Sequence, residues 1–365
     1  MSKSISPNTQ AILLLTAPLI VGRGRPRDPA LRPLSLKREY SVLANRLHEV
    51  GREPADLLGA DAGPLLDECL GAGGPRLEHL ERGRIESLLG RGLQLSLAVE
   101  RWETRAIWVL SRADSEYPGR LKGRLGQSAP PILYGCGDRS FLNGGGLAIV
   151  GPRDAREDLL DYAREIGELA AAAGRAVVSG GARGIDRTAM GGALAVDGRS
   201  IGVVANDLAR AATQRDNRDA LVDGRLLLVS PYDPAARFLA GHAMERNHSV
   251  YGLADAALVV DALVGQGGTR AGAVAQLADS KRLTACPVYL RSTLRASEGL
   301  AALEARGAIP WPNPKSPEEF EEVLARNGSR ASATGERQPR GGTMQASSLG
   351  ETTGEQRILP GLKPS

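Results

Sequence analysis

The sequence predicts an α/β protein built on a doubly wound, mostly parallel sheet, with a small helical module before it and a disordered tail after it. Three observations carry the prediction. Between residues 147 and 205 short, wholly apolar runs alternate with helix-length segments, the pattern of a parallel sheet covered on both faces. Aromatic residues make up only 4% of the chain against 45 Gly, so the core is drawn from Leu, Val, Ile and Ala. The 365 residues suit one domain of about 200 residues with additions. A chain 42% hydrophobic and 24% charged is neither fibrous nor wholly disordered.

In order, residues 1–35 read as an N-terminal segment. Its apolar stretch, residues 11–21, is about half the ~20 residues of a membrane span and contains Pro18. An Arg-rich run follows where a signal peptide would carry a small-residue cleavage site, so no secretory leader is expected. That run holds Arg23, Arg25, Arg27, Arg32, Lys37 and Arg38 against Asp28, a local charge of +5 that reads as solvated surface. Residues 36–100 read as a helical module, with Leu43, Leu47, Val50, Leu57, Leu58, Leu65, Leu66 and Leu70 recurring at three and four and breaks at Gly51, Gly63 and Gly71 to Pro75.

Residues 101–314 are expected to hold the sheet. Candidate strands lie at residues 106–110, 130–134, 147–150, 176–178, 200–205, 226–229, 257–261 and 287–290. A helix with Leu159, Ala163, Ile166, Ala170 and Ala173 on its apolar face separates the third and fourth, and Gly174 ends it. An Ala-rich helix to Val196 follows the fourth, and a further helix is expected over residues 269–277. Residues 315–365 read as a helix and then, from about Arg326, a polar tail of charge +3 that cannot bury enough surface to order itself.

Cys69, Cys136 and Cys286 stand far apart, and His48, His79, His242 and His248 show no ligand spacing, so neither a metal nor a disulfide is expected. The chain reads as cytoplasmic. Its net charge of +4, from 46 basic and 42 acidic residues, is too small to announce nucleic-acid binding by itself.

The chemistry is expected at three glycine turns that follow proposed parallel strands: Gly151-Pro-Arg153, Ser179-Gly-Gly-Ala-Arg-Gly-Ile-Asp186 and Gly265-Gln-Gly-Gly-Thr269. Open α/β sheets bind ligands at such ends, where backbone N–H groups converge on anions. Gly151, Gly180, Gly181, Gly184, Gly267 and Gly268 would let the backbone approach a phosphate, with Arg153, Arg183, Ser179 and Thr269 adding donors. Equally, such glycines make tight strand-to-helix turns. No loop reads G-x-G-x-x-G with a following acid, and none reads G-x-x-x-x-G-K-[ST]. Ser179 lacks a nucleophile-elbow context, and Asp186 reads as a cap of the next helix. No catalytic constellation emerges, and no cofactor is expected.

The ordered set of segments resembles the DNA-processing protein A family (DprA, also called Smf). The likeness rests on Ala148-Ile-Val-Gly-Pro-Arg153, Ser179 to Asp186, Gly192-Ala-Leu194, Ile201-Gly-Val-Val-Ala205, Glu245-Arg-Asn247 and Leu258-Val-Val-Asp261. Ser115-Glu-Tyr-Pro118 and Pro130-Pro-Ile-Leu-Tyr-Gly135 look like that family's lead-in. The resemblance spans about residues 100 to 290 and implies an extended Rossmann-like domain that dimerises and binds single-stranded DNA in a basic pocket. It further implies help in loading the RecA recombinase during transformation or recombination. Carried over by position, the pocket would involve Arg153, Ser179, Gly180, Arg183, Gly184, Asp186, Arg246 and Asn247.

The chain departs from the family pattern at Met190, where His is common, and at His248, where an R-N-R triplet would end. Gln266-Gly-Gly-Thr-Arg-Ala-Gly272 looks more like a loop of related nucleotide-binding proteins, some of them phosphoribohydrolases. Those enzymes need a Glu shortly after the Thr, where this chain has Ala271, Gly272 and Ala273. The residues after Pro314 offer no convincing counterpart of the family's frequent C-terminal winged helix, so none is expected there. Three readings stay open: a non-catalytic single-stranded DNA binder, which is favoured, a sensor of a nucleotide-derived ligand in phage defence, and a nucleotide hydrolase.

Overall fold

Uncharged runs of Leu, Val, Ile and Ala become the buried strands of one sheet. The computed structural model of the chain describes residues 5–19, 28–71, 80–262, 273–274, 286–293 and 296–333. Among these, nine strands form the sheet: β1 Ile107–Ser111, β2 Ile132–Cys136, β3 Leu147–Val150, β4 Val177–Ser179, β5 Ser200–Val203, β6 Leu226–Ser230, β7 Ala256–Val259, β8 Val288–Leu290 and β9 Ile309–Pro310. Their order is β1-β2-β6-β5-β4-β3-β7-β8-β9. Every pairing from β6 to β9 is parallel, and β1 and β2 join β6 as an antiparallel extension. From β3 the chain steps one way through β4, β5 and β6, then resumes at β7 on the other side. Doubly wound sheets bind ligands outside the carboxyl ends of strands near such a reversal.

Before the sheet come α1 Pro7–Thr16, α2 Ser41–Glu49, α3 Ala62–Gly71, α4 Arg82–Leu89 and α5 Gly92–Glu103. α6 Gly119–Leu125 and the short α7 Phe141–Gly144 precede β3. α8 Glu157–Ala172 and α9 Ile185–Ala195 follow β3 and β4, and α10 Leu208–Thr213 and α11 Arg215–Val222 lie between β5 and β6. α12 Ala240–Leu253 leads into β7, α13 Glu298–Glu304 into β9, and α14 Pro317–Ala333 ends the described chain. No described helix is long and apolar enough to cross a membrane.

α8 and α9 pack backbone to backbone because both carry glycine at the crossing. A Cβ on Gly167 would overlap the Ala189 carbonyl oxygen, and one on Gly192 would overlap that of Arg164. α9 is thereby pressed onto the sheet, which fixes where its N-terminus opens.

The apolar stretch near the N-terminus is a buried helix. Ser6 caps α1 by accepting the Thr9 N–H at 3.1 Å, Pro7 opens it, and Ile12, Leu13, Leu14 and Leu15 are buried. Its last carbonyls are taken by Arg91, which donates to Ala17 at 3.0 Å and also to Leu14. The helical module and the sheet share one core in which Trp102 of α5 meets Tyr134 of β2 edge to face, ring centres 5.2 Å apart. Gly63, expected as a break, lies inside α3. At the other end α14 buries Phe320, Val323 and Leu324, and Glu321 accepts two hydrogen bonds from Arg175 at 2.5 and 2.6 Å. α14 runs to Ala333, so residues 327–333, read from sequence as the start of the tail, continue a helix. The rest of the expected tail lies outside the described residues, as do Arg23, Arg25, Arg27 and most of the helix expected over 269–277.

Candidate nucleic-acid interface

β3, β4 and β5 end on the same edge of the sheet, and a recess of about 480 Å³ opens there. The loop after β3 brings Arg153, the loop after β4 brings Gly180, Gly181 and Arg183, α9 brings Arg187, α10 brings Arg210 and α12 brings Arg246. Five guanidinium groups thus face one acid on the wall, Asp207, whose carboxylate accepts the Arg210 N–H at 3.2 Å and caps α10. A concave site with this excess of cation is suited to a polyanion.

Glycine sets the shape. A side chain on residue 180 would overlap the Arg246 guanidinium, so Gly180 lets that group lie against the turn. Gly184 has φ +85, and a Cβ there would stand 2.5 Å from the carbonyl oxygens of both Pro152 and Arg153. The loops after β3 and β4 therefore lie against each other. Behind them Asp186, 6% exposed, accepts the Gly180 N–H at 3.1 Å and the N–H groups of Gly151 and Ala182. One carboxylate holds both loops, rather than capping α9, whose N-cap is Gly184.

Arg246 is also 6% exposed, with Nη1 4.0 Å from Asp186 Oδ2. Its Nε and Nη1 have no hydrogen-bond acceptor among the described residues. Burial pushes the Asp186 carboxyl up from its ordinary value, and Arg246 and the three N–H donors act against that. Burial pushes the Arg246 guanidinium down, Asp186 opposes this, and Arg153 adds to it. A buried cation with idle donors is costly to fold, and an anion that accepts from those donors lowers that cost. Nearer solvent, Arg183 pairs with Asp154, and Arg153 lies over the ring of Phe238, 5.4 Å from its centre. Phe238 is 49% exposed.

Of the residues expected from sequence, Arg153, Gly180, Gly181, Arg183 and Arg246 line the recess together. Gly151, Gly184 and Asp186 build its underside. Ser179 does not reach it: its hydroxyl donates to the Ile149 carbonyl at 2.6 Å and ties β4 to β3. Asn247, next to Arg246 on α12, is buried and off the wall. Gly267, Gly268 and Thr269 lie outside the described residues. Arg187, Arg210 and Phe238 were not legible as wall residues. Arg187 follows Asp186 directly, which is a signal of sorts; Arg210 and Phe238 stand in segments with no motif.

Residues 108–317 match the model of the DNA recombination-mediator protein A family. Protein Smf of Escherichia coli strain K12 is 33% identical over 200 residues, covering 54% of this chain and 52% of that one. Protein Smf of a Synechocystis strain is 31% identical over 186 residues, covering 49% and 46%. The chain therefore spans about half the length of the curated relatives it matches. The crystal structure of DNA processing protein A (DprA) from Streptococcus pneumoniae superposes with a TM-score of 0.59 at 21% identity, over 79% of this chain and 93% of that one, a likeness of fold. The matched residues run from β1 to the first residue of α14 and hold every strand that builds the recess, and on that match the chain belongs to the DNA recombination-mediator protein A family.

Proposed function

We propose that this chain binds single-stranded DNA without catalysis and with little sequence preference, seating backbone phosphates in the recess beyond β3, β4 and β5. The observation that carries the reading is Arg246, a buried guanidinium with idle donors on the wall of a site that four further arginines share. A phosphate oxygen is a strong, charge-assisted acceptor for such donors. Asp186 supports the absence of catalysis: its carboxylate is engaged by three N–H groups and faces Arg246, which leaves it poorly placed as a general base.

The test is a titration with a short oligothymidine at several salt concentrations beside mononucleotides. Each neutralised phosphate releases counterions, so affinity is expected to fall more than tenfold between about 50 and 200 mM salt when several phosphates are held. Preferential binding of a mononucleotide with a flat salt response would favour the sensor of a nucleotide-derived ligand, since about 480 Å³ is also the size of a small-molecule site.

Family membership supports the wider reading: a cytoplasmic homodimer that hands the strand to the RecA recombinase in DNA uptake, transformation or recombination. A strict monomer mass by light scattering at tens of micromolar protein would refute the dimer. Failure of a protein-coated strand to nucleate RecA filaments faster than naked DNA would refute the hand-off.

A further inference from the structure

The basic recess does not stop at α10. Asp207 and Arg210, which form part of its wall, also line an adjoining recess of about 440 Å³. The second recess is bounded by α5 through Arg101 and Trp102, by Arg105 just beyond that helix, and by Asp233 in the loop after β6. Arg101 is partly exposed and Arg105 exposed. Each touches only carbonyls of its own segment: Arg101 Nε donates to Leu97 at 3.1 Å and Arg105 Nη1 donates to Arg101 at 3.1 Å.

Neither arginine makes an ion pair among the described residues. The two carboxylates present are turned to backbone, Asp207 to the Arg210 N–H at 3.2 Å and Asp233 to the Ala235 N–H at 2.9 Å. Burial pushes the Asp233 carboxyl up from its ordinary value, and the Ala235 N–H and the charge of Arg101 act against that. The result is two recesses of similar size, each with more guanidinium groups than carboxylates on its wall, that share Asp207 and Arg210. A mononucleotide fills a single recess. A chain of phosphates is the ligand chemistry that uses both, because its charges repeat along its length.

We propose that a single strand seated in the first recess continues past Arg210 into the second, where Arg101 and Arg105 contact its following phosphates. This rests on the reading of the first recess as a single-strand site. It makes α5, which lies outside the family-matched residues 108–317, part of the nucleic-acid path.

The test pairs the full chain with an Arg101→Ala/Arg105→Ala double variant and with Arg105→Glu alone, which changes one exposed side chain and guards against a folding defect in the double variant. Each is titrated with oligothymidines of about 4 and about 16 nucleotides, the range that separates a one-recess from a two-recess ligand. For the longer oligomer the double variant is expected to lose roughly tenfold or more at low salt, and its log–log salt slope to shrink by about 0.7 for each phosphate contact removed. Arg105→Glu is expected to lose affinity in the same direction. The shorter oligomer is expected to bind all three proteins alike. If the variants match the parent on the longer oligomer, or lose equally on both lengths, the path through α5 is wrong while the first recess stands. If the parent binds neither oligomer, the single-strand reading falls and the path with it.

Discussion

Gly180 and Arg246 fit together as knob and socket: the missing side chain of Gly180 is the space that the Arg246 guanidinium occupies. Gly180→Ala must therefore displace either the turn after β4 or the buried cation. Overpacking of this kind costs about 1–3 kcal/mol. The variant is expected to unfold at lower urea concentration and, where still folded, to bind oligothymidine more than tenfold more weakly. Binding at the parent affinity would separate Arg246 from the site.

Arg246→Met tests the same cation by a pH dependence. Burial holds the folded Asp186 carboxyl above its ordinary value, so the native state binds that proton more tightly than the unfolded chain does. Stability from this group is therefore lost as pH rises through the window above the usual aspartate value, and regained as pH falls through it. Removing Arg246 removes an opposing influence and raises Asp186 further. The variant is expected to be destabilised at pH 7, by up to about 3–5 kcal/mol for a broken buried pair. The deficit should narrow toward pH 5, measured by urea unfolding against the parent at each pH. A deficit independent of pH would mean that Asp186 keeps the same charge with and without Arg246.

Ser179→Ala separates scaffold from site. The hydroxyl is buried and donates to Ile149, and its loss leaves that carbonyl one donor short, a cost of about 1 kcal/mol. Stability is expected to fall by that order while oligothymidine affinity stays at the parent value. A large loss of affinity with unchanged stability would put the hydroxyl on the ligand after all.

The strands were legible because burial on both faces leaves no alternative to runs such as Leu147-Ala-Ile-Val150. The same rule hid α1: a helix buried all round has no polar face, so residues 11–15 show apolarity without a period. α10 and α11 escaped for the opposite reason. They are short, one of them highly charged, and α10 starts from Asp207 in a left-handed conformation at φ +44. β9 has two residues and no signal of its own. At the site, loop glycines and the arginines among them could be read, because their spacing reflects how closely two turns approach. Ser179 looked like a phosphate donor for the same reason, since composition does not say which way a hydroxyl turns. Arg210 and Phe238 reach the recess through the packing of later elements, and no local pattern announces that.

Phosphate contacts weaken with salt, whereas base stacking on an aromatic ring does not depend on counterion release. Phe238 stands on the wall of the recess, half exposed, with Arg153 over its ring. A base stacked on such a ring is worth about 1–3 kcal/mol, roughly 5- to 150-fold in affinity. Phe238→Ala is therefore expected to weaken oligothymidine binding by a factor within that range that stays constant across salt, leaving the log–log slope unchanged. Arg153→Ala should instead flatten the slope, because it removes a phosphate contact, and should lose most at low salt. Phe238→Trp preserves a π-face and should bind close to the parent. A strand of abasic sugar-phosphate units should no longer distinguish Phe238→Ala from the parent, since it has no base to stack. If the alanine variant changed the salt slope, or weakened abasic binding equally, the ring would be acting by placing Arg153 and not by holding a base.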